Sequence, residues 1–402
     1  MRDWSAEVDS LFGELNRSIR GVAKRVRSAL GDSPLEVLGY RGYGNARTAL
    51  VHGRVVARRG VGPSSDADST LENLLNTYRR ADSDPVPSAQ LAITFGDTSA
   101  TMTSDDEGFF GGRISLTSPL RAPNEWVEFK AELLSPAQAG GAVSGMGEIL
   151  LPSASACFGV ISDIDDTVIQ SRVSNFLLAA KTVMLGNART RLPFPGVAAF
   201  YRALRDGATG NEQNPMFYVS SSPWNIYDVI TEFMDLQKIP RGPVLLRDWD
   251  IALGALASSR YFEHKGVAIR NILSLYPDLP FILIGDTSQH DPEIYRQVIS
   301  DFPGRIRAVY IRDVTRKEER SASVKKLAEE ILAAQSTLVL AEDTLGAARH
   351  AVEQGWINAD ALPGVREEKT ADEGKTGDKV PTPDGGTPTS GDAPTVIGEP
   401  SA

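Results

Sequence analysis

The stretch Cys157-Phe-Gly-Val-Ile-Ser-Asp-Ile-Asp-Asp-Thr-Val168 decides the fold. Phe158, Val160 and Ile161 form a short apolar run, which predicts a strand buried on both faces of an α/β sheet. In such sheets ligands bind just beyond the carboxyl ends of the strands. This one ends in Asp163 and Asp165. Two carboxylates two residues apart repel each other, so the fold must supply a cation or keep one of them protonated. Both solutions lead to phosphate chemistry. The plainer alternative is an acidic turn that caps the next helix.

Three segments downstream repeat the arrangement. Met216-Phe-Tyr-Val-Ser220 is a second apolar strand ending in a hydroxyl, and Ser221 and Ser222 follow it. Ser222 precedes Pro223, which suits an N-cap with proline at the first helical position. A helix starting there would aim its N–H groups at an anion near Ser220. Lys265, in Tyr261-Phe-Glu-His-Lys-Gly266, stands just ahead of a periodic helix through Val267, Ile269, Ile272 and Leu273 that stops at Pro277. A lysine there can reach charge spread over phosphoryl oxygens, although most single lysines are solvated. Phe281-Ile-Leu-Ile-Gly-Asp286-Thr-Ser-Gln-His-Asp291 is another buried strand ending in acids. Asp291, followed by Pro292 and Glu293, reads equally as an N-cap and as a metal or lysine-orienting group.

Taken in order, these four strand ends resemble the haloacid dehalogenase superfamily of phosphatases and phosphotransferases. The resemblance implies that Asp163 attacks phosphorus to give an aspartyl-phosphate, while Asp165 protonates the leaving oxygen and then activates water. It gives Ser220 and Lys265 to the phosphoryl oxygens, and the presence of Asp165 favours a phosphatase over members that cleave carbon–halogen bonds. It further implies Mg2+ held by Asp163, Asp165 through its main-chain carbonyl, Asp286 and Asp291. A narrower resemblance comes from Ser162-Asp-Ile-Asp-Asp-Thr-Val-Ile169, Val219-Ser-Ser-Ser-Pro-Trp-Asn225 and Gly285-Asp-Thr-Ser-Gln-His-Asp-Pro-Glu-Ile-Tyr295. These are similar to the catalytic domain of the actin-patch-associated phosphatidate phosphatases, relatives of the lipins with bacterial members. The similarity covers roughly residues 150 to 315. It implies Mg-dependent release of phosphate from phosphatidate, with Thr167, Ser221 and Asn225 along the substrate.

The insertion between the first two motifs is short, from Ser171 to Leu192, which leaves little room for a large cap over the site. An open site suits a bulky substrate such as a lipid or a phosphoprotein. Val173, Phe176, Leu177, Leu178, Val183 and Met184 form either a greasy lip at the entrance or the core face of a helix.

The domain reading works outward from this core. Residues 1–33 hold an amphipathic helix, Ala6 to Leu30, acidic first and basic last, which suits the helix dipole and either packing or an anionic membrane surface. Residues 34–150 alternate in period two, as in Thr48-Ala-Leu-Val-His-Gly-Arg-Val-Val-Ala57, Gln90-Leu-Ala-Ile-Thr-Phe95 and Trp126-Val-Glu-Phe-Lys-Ala-Glu-Leu133. That predicts an all-β, antiparallel sandwich-like domain with a positioning or recognition role. Within it, Thr103-Ser-Asp-Asp-Glu-Gly-Phe-Phe110 resembles the strand-turn-strand of transthyretin-like modules. Its acids suit calcium, or more simply a polar hairpin turn. Residues 151–358 form the doubly wound parallel α/β unit with small or no cap, its last core strand at Ile306 to Ile311 and a C-terminal extension beyond. A polar helix near Ser323 to Ala334 follows that strand, and Thr337-Leu-Val-Leu-Ala341 with the stretch to Ile357 is expected to pack back on the core or its neighbour. Residues 359–402 are rich in Gly, Pro, Thr, Asp and Glu and are expected to be disordered.

Composition closes off other classes. The net charge of -10 argues against nucleic acid as the partner. The single cysteine fits a reducing compartment, so a cytoplasmic place is expected, with peripheral contact at the inner membrane face as its extension. No apolar run approaches a membrane span, and the start Met1-Arg-Asp-Trp-Ser is unlike a secretory signal. A cysteine-dependent phosphatase needs an arginine six residues after the nucleophile, where Cys157 has Asp163. No glycine-rich phosphate loop with a following Lys-Ser/Thr is present. His52, His264, His290 and His350 are too scattered for a zinc pair or serine triad. The expectation is a phosphatidate phosphatase acting on a lipid phosphate. The alternatives are a phosphoprotein or soluble-metabolite phosphatase, and a non-catalytic membrane- or protein-binding scaffold with a vestigial core.

Overall fold

The computed structural model describes residues 33–58, 84–120, 125–138, 141–164, 167–168, 194–247, 263–286, 291–312, 337–341, 343–376 and 395–397. The expected helices at Ala6 to Leu30 and near Ser323 to Ala334, the insertion from Ser171 to Leu192, and Asp165 lie outside the described residues. The chain divides between Leu151 and Pro152 into two compact units.

The first unit is mostly β. Its strands are β1 (Leu35–Gly39), β2 (Arg41–Asn45), β3 (Thr48–Ala57), β4 (Asp84–Pro85), β5 (Gln90–Phe95), β6 (Thr98–Thr103), β7 (Phe109–Ser115), β8 (Trp126–Ser135) and β9 (Ser144–Leu150). Alternation sends Leu91, Ile93 and Phe95 of β5, with Phe129, Ala131 and Leu133 of β8, into one core with Val51, Val55, Phe110 and Ile114. The strands form one continuous sheet in the order β1-β3-β2-β9-β8-β5-β6, with β4 and β7 also laddered on β3. Two details differ from a plain antiparallel sandwich. The β2–β9 pair is parallel, and the turn after Thr103 is a corner, because β6 ladders on β5 while β7 ladders on β3. Asp105 builds that corner by accepting hydrogen bonds from the N–H groups of Glu107 and Phe109.

The second unit is a mixed α/β structure around a mainly parallel sheet. Its strands are β10 (Gly159–Asp163), β11 (Met216–Pro223), β12 (Val244–Arg247), β13 (Phe281–Asp286), β14 (Ile306–Arg312), β15 (Thr337–Ala341) and β16 (Thr395–Ile397). Its helices are α1 (Val197–Asp206), α2 (Tyr227–Leu236), α3 (Glu263–Leu275), α4 (Asp291–Asp301), α5 (Thr344–Glu353) and α6 (Leu362–Thr376). The strand order is β12-β11-β10-β13-β14-β15-β16, and only the β15–β16 pair is antiparallel. The chain starts in the middle, winds outward through β11 and β12, and returns to the other side of β10. The crevice left by this reversal, beyond the carboxyl ends of β10 and β13, is where such sheets bind ligands.

Four local expectations are corrected. Ile306 to Ile311 is not the last core strand, because β15 ladders on β14 from Ala308 to Arg312, and its Leu338 and Val339 are fully buried. Strand β11 runs through Ser222 to Pro223, and α2 starts only at Tyr227 after a short 3₁₀ turn, Trp224–Ile226, so Ser222 is not its N-cap. Lys265 does not precede its helix but lies in the first turn of α3.

The fourth concerns the segment from 359, expected to be disordered. Residues 359–361 form a 3₁₀ turn, α6 follows, and Thr395–Ile397 pairs with β15. Polar composition concealed α6 because side-chain pairing holds much of it. Val365 is fully buried, and Asp372 accepts a hydrogen bond from Gly196 N. Glu368 accepts from Ala199 N at 2.9 Å and pairs with Arg202 at 2.5 Å. Helix α6 thus caps the N-terminus of α1 from outside that helix, supplying acceptors that a helix start leaves wanting.

Replacing Glu368 with Ala removes one such acceptor, and the expected cost is about 1 kcal/mol, a fall in Tm of roughly 2–4 °C. Thermal unfolding of the full chain measures it. A variant as stable as the parent would show that α6 does not cap α1.

Candidate active site

Three neighbouring strands end level with one another. Ser162, the penultimate residue of β10, pairs with Tyr218 of β11 on one side and Ile284 of β13 on the other. The residues just beyond, Asp163, Ser220 and Asp286, therefore share the carboxyl edge of the sheet. Asp163 and Asp286 are buried, at 2% and 0% exposure. Two helix starts complete the set: the first turn of α3 brings Lys265, and the first turn of α4 brings Asp291.

Lys265 joins them. Its Nζ lies 2.8 Å from Asp163 Oδ1 and 2.9 Å from Asp291 Oδ1. All three side chains are almost wholly out of water, so each charge would be very costly alone. Burial by itself would lower the lysine pKa, but the charges of Asp163 and then Asp291 outweigh it and hold the pKa above the ordinary lysine value. Asp291 is also tied to the strand end, since its Oδ2 accepts from Asp286 N at 3.3 Å. Gly285 permits this approach, because a Cβ there would come within 2.5 Å of Asp291 Oδ2. Tyr295 donates to Ile284 O at 2.7 Å, and burial followed by the charges of Asp291, Asp163 and Asp286 keeps its hydroxyl protonated.

Each sequence-derived residue can now be placed. Asp163, Lys265, Asp286 and Asp291 converge. Thr167 is buried beside them and donates to Asp286 Oδ2 at 3.2 Å. Ser220 is fully buried on the adjacent strand, where its Oγ accepts from Ser222 N at 3.0 Å, and Ser221 is buried next to it. Asp165 and the side chain of Asn225 lie outside the described residues. For Asp291 both readings hold together, because it opens α4 and faces the cluster.

Residues the sequence reading missed support the same place from behind. The Ser162 hydroxyl donates to Asp163 O at 2.7 Å and lies 2.7 Å from the Tyr201 hydroxyl of α1, which fixes the backbone that carries Asp163. Arg312 ends β14 in register with Asp286. A basic residue closing an apolar strand was the available sign of it.

Asp163, Asp286 and Asp291 each offer a carboxylate oxygen, all within 4.8 Å of one another. Three buried carboxylates against one ammonium leave a net negative charge, and hard oxygen donors of this kind suit magnesium or calcium rather than a thiophilic metal. Lys265 occupies one oxygen of Asp163 and one of Asp291, so the second oxygen of each, with Asp286, fits such an ion.

A buried acid cluster with one lysine, at the switch point of a parallel sheet, defines the class as an α/β protein with a carboxylate centre suited to a divalent cation. Residues 158–313 match the family model described as the catalytic domain of phosphatidate phosphatase APP1, so the resemblance carried by the motifs is shown over this segment. Phosphatidate phosphatase APP1 of Saccharomyces cerevisiae is 31% identical over 155 residues, which are 38% of this chain and 25% of that protein. An uncharacterised protein of Schizosaccharomyces pombe is 29% identical over 157 residues, 39% of this chain and 25% of that one. The chain thus spans about a quarter of the length of these relatives. Among solved structures, a carbohydrate acetylesterase from Xanthomonas citri aligns over 73% of this chain and 72% of its own at 12% identity. The TM-score of that alignment is 0.22.

Replacing Lys265 with Met should destabilise the second unit by about 3–5 kcal/mol near neutral pH, because it leaves buried carboxylates unpaired. The lysine pKa is raised on folding, so its contribution is complete below the ordinary value of 10.5 and is lost as pH rises above it. Denaturant unfolding of parent and variant should give a gap that is level from about pH 7 to about pH 9 and narrows only at more alkaline pH. A gap that closes between about pH 7 and about pH 9 would contradict the ion-pair assignment.

Proposed function

We propose that the second unit is a divalent-cation-dependent phosphomonoesterase of the haloacid dehalogenase type that acts on phosphatidate, releasing diacylglycerol and inorganic phosphate. The observation that carries this is the meeting of Asp163, Lys265, Asp286 and Asp291, from four separate segments, inside the stretch that matches the phosphatidate phosphatase family. The relative from Saccharomyces cerevisiae carries that activity in its name, which supports the substrate.

In this reading the carboxylate of Asp163 attacks phosphorus, and the bond from phosphorus to the ester oxygen breaks as the aspartyl-phosphate forms. Asp165 gives its proton to the departing alkoxide, so diacylglycerol leaves as an alcohol. The same carboxylate then takes a proton from water, whose oxygen attacks phosphorus, releasing inorganic phosphate and restoring Asp163. Lys265 faces the charge that builds on the phosphoryl oxygens, and Ser220 presents a hydroxyl to the same group. Thr167, Ser221 and Asn225 are the residues this reading assigns to the substrate. Asp163, Asp286, Asp291 and the main chain at Asp165 would hold Mg2+, which when bound supplies electrostatic stabilisation of the phosphoryl group. The protein's part is to hold Asp163 in place and aimed. The contacts of Lys265 and the Ser162–Tyr201 pair act on its side chain and its backbone respectively.

Among the described residues no helix is long and apolar enough to cross a membrane. In this reading phosphatidate is met through peripheral contact with a bilayer, at the cytoplasmic face.

Replacing Asp163 with Asn should lower turnover by about 10³-fold or more while circular dichroism stays unchanged. Substantial residual activity would refute the nucleophile. Removing divalent cations with EDTA should abolish turnover and added Mg2+ restore it; activity that persists in EDTA would refute the metal. In mixed micelles phosphatidate should be hydrolysed faster than any of a panel of water-soluble phosphomonoesters or a phosphopeptide. The reverse ranking would overturn the lipid assignment, and inactivity on the whole set would favour a non-catalytic scaffold.

A further inference from the structure

The carboxyl edge of the sheet extends past the acidic cluster. Arg312 closes β14 level with Asp286 of β13, so the next strand end carries a cation beside an acid. Its guanidinium lies over the Phe194 ring, 3.9 Å from the centroid, and donates one hydrogen bond of 2.9 Å to Thr344 Oγ1. A small cavity of about 30 Å³ is lined here by Thr167, Tyr201, Gly285, Tyr310, Arg312 and Thr344 among others. Thr167 is the wall between this cavity and the cluster, since its hydroxyl donates to Asp286.

The charge of Arg312 is poorly matched within the protein. Among the described residues it forms no ion pair. Asp343 is the carboxylate lining this cavity, but its Oδ1 accepts from Gly346 N at 2.8 Å and its Oδ2 holds Lys369 at 2.5 Å. Burial lowers the arginine pKa to about 10, and Tyr201, Asp343 and Asp286 counter this only in part. The group is still cationic at neutral pH. A guanidinium has five N–H donors in a planar fork, and among the described residues one is spent, on Thr344. The remaining donors match phosphate oxygens.

The acidic cluster also needs such a group. With three carboxylates and one ammonium it is negative before any metal binds, which repels a phosphate dianion. We propose that Arg312, with the Thr344 hydroxyl, forms a phosphate-binding subsite next to the cluster. It holds either the phosphate ester on its way in or inorganic phosphate on its way out. For its biological ligand this rests on the phosphatase reading. The arginine, and not the start of α5, is the binding group, because Asp343 already takes Gly346 N.

The test separates binding from turnover. Inorganic phosphate is titrated into the full chain in EDTA, followed by 31P NMR and calorimetry, for the parent, Arg312→Gln, Arg312→Lys and Thr344→Val. The expected result is saturable binding by the parent that weakens at least tenfold in Arg312→Gln, less in Arg312→Lys, and measurably in Thr344→Val. Parent and Arg312→Gln binding phosphate equally, or no binding by the parent, overturns the subsite. If Arg312→Gln does not fold, Thr344→Val decides: unchanged binding overturns the subsite and weakened binding supports it. Steady-state kinetics then assign the source. A higher KM with unchanged inhibition by phosphate marks the entering ester, relief of that inhibition with unchanged KM marks the departing product, and no change in either overturns a role in the reaction. Phosphate binding that depends on Arg312 in a protein without turnover would keep the subsite and defeat the phosphatase reading alone.

Discussion

The structure of the second unit depends on one buried ammonium. Asp163 and Asp291 could not lie this close, out of water, unless Lys265 stood between them, because each carboxylate would cost several kcal/mol to bury alone. The lysine is equally dependent on them, as its raised pKa records. This mutual requirement sets the spacing of three segments: the end of β10, the first turn of α3 and the first turn of α4. It also leaves an excess of negative charge that suits a divalent ion, and the same excess gives Arg312 at the next strand end its role.

Supporting contacts extend this arrangement in two directions. Tyr201 and Ser162 fix the backbone of Asp163 from the side of α1. Helix α1 is in turn capped by Glu368 and Asp372 of α6, and Lys369 of α6 holds Asp343 at the start of α5. Helix α6 lies outside residues 158–313, the stretch matched by the family model. The supports of the site thus reach further along the chain than the motifs that define it.

Much of this was legible in the sequence, and unevenly so. Strands β10, β11 and β13 could be read because each is a continuous apolar run ended by a polar residue, the mark of a strand buried on both faces. The segment that forms strand β15 reads as packing back on the core or on its neighbour, but a five-residue apolar run does not say which strand it joins. Helix α6 reads as disorder in the sequence. Its stability comes from pairing with residues more than a hundred positions away, which no local composition reveals. Arg312 was overlooked because its meaning depends on being in register with Asp286.

By itself the sequence determined which chemical groups stand at the ends of buried strands, and in what order, because strand burial is a short-range pattern of apolar residues. Only the tertiary structure decided that Lys265 is shared by Asp163 and Asp291, that Thr167 touches Asp286, and that Arg312 lies beside them without an ion pair among the described residues. Those relations follow from the strand order β11-β10-β13-β14, which brings distant segments into register, and electrostatic pairing acts only over the few ångströms that such register fixes.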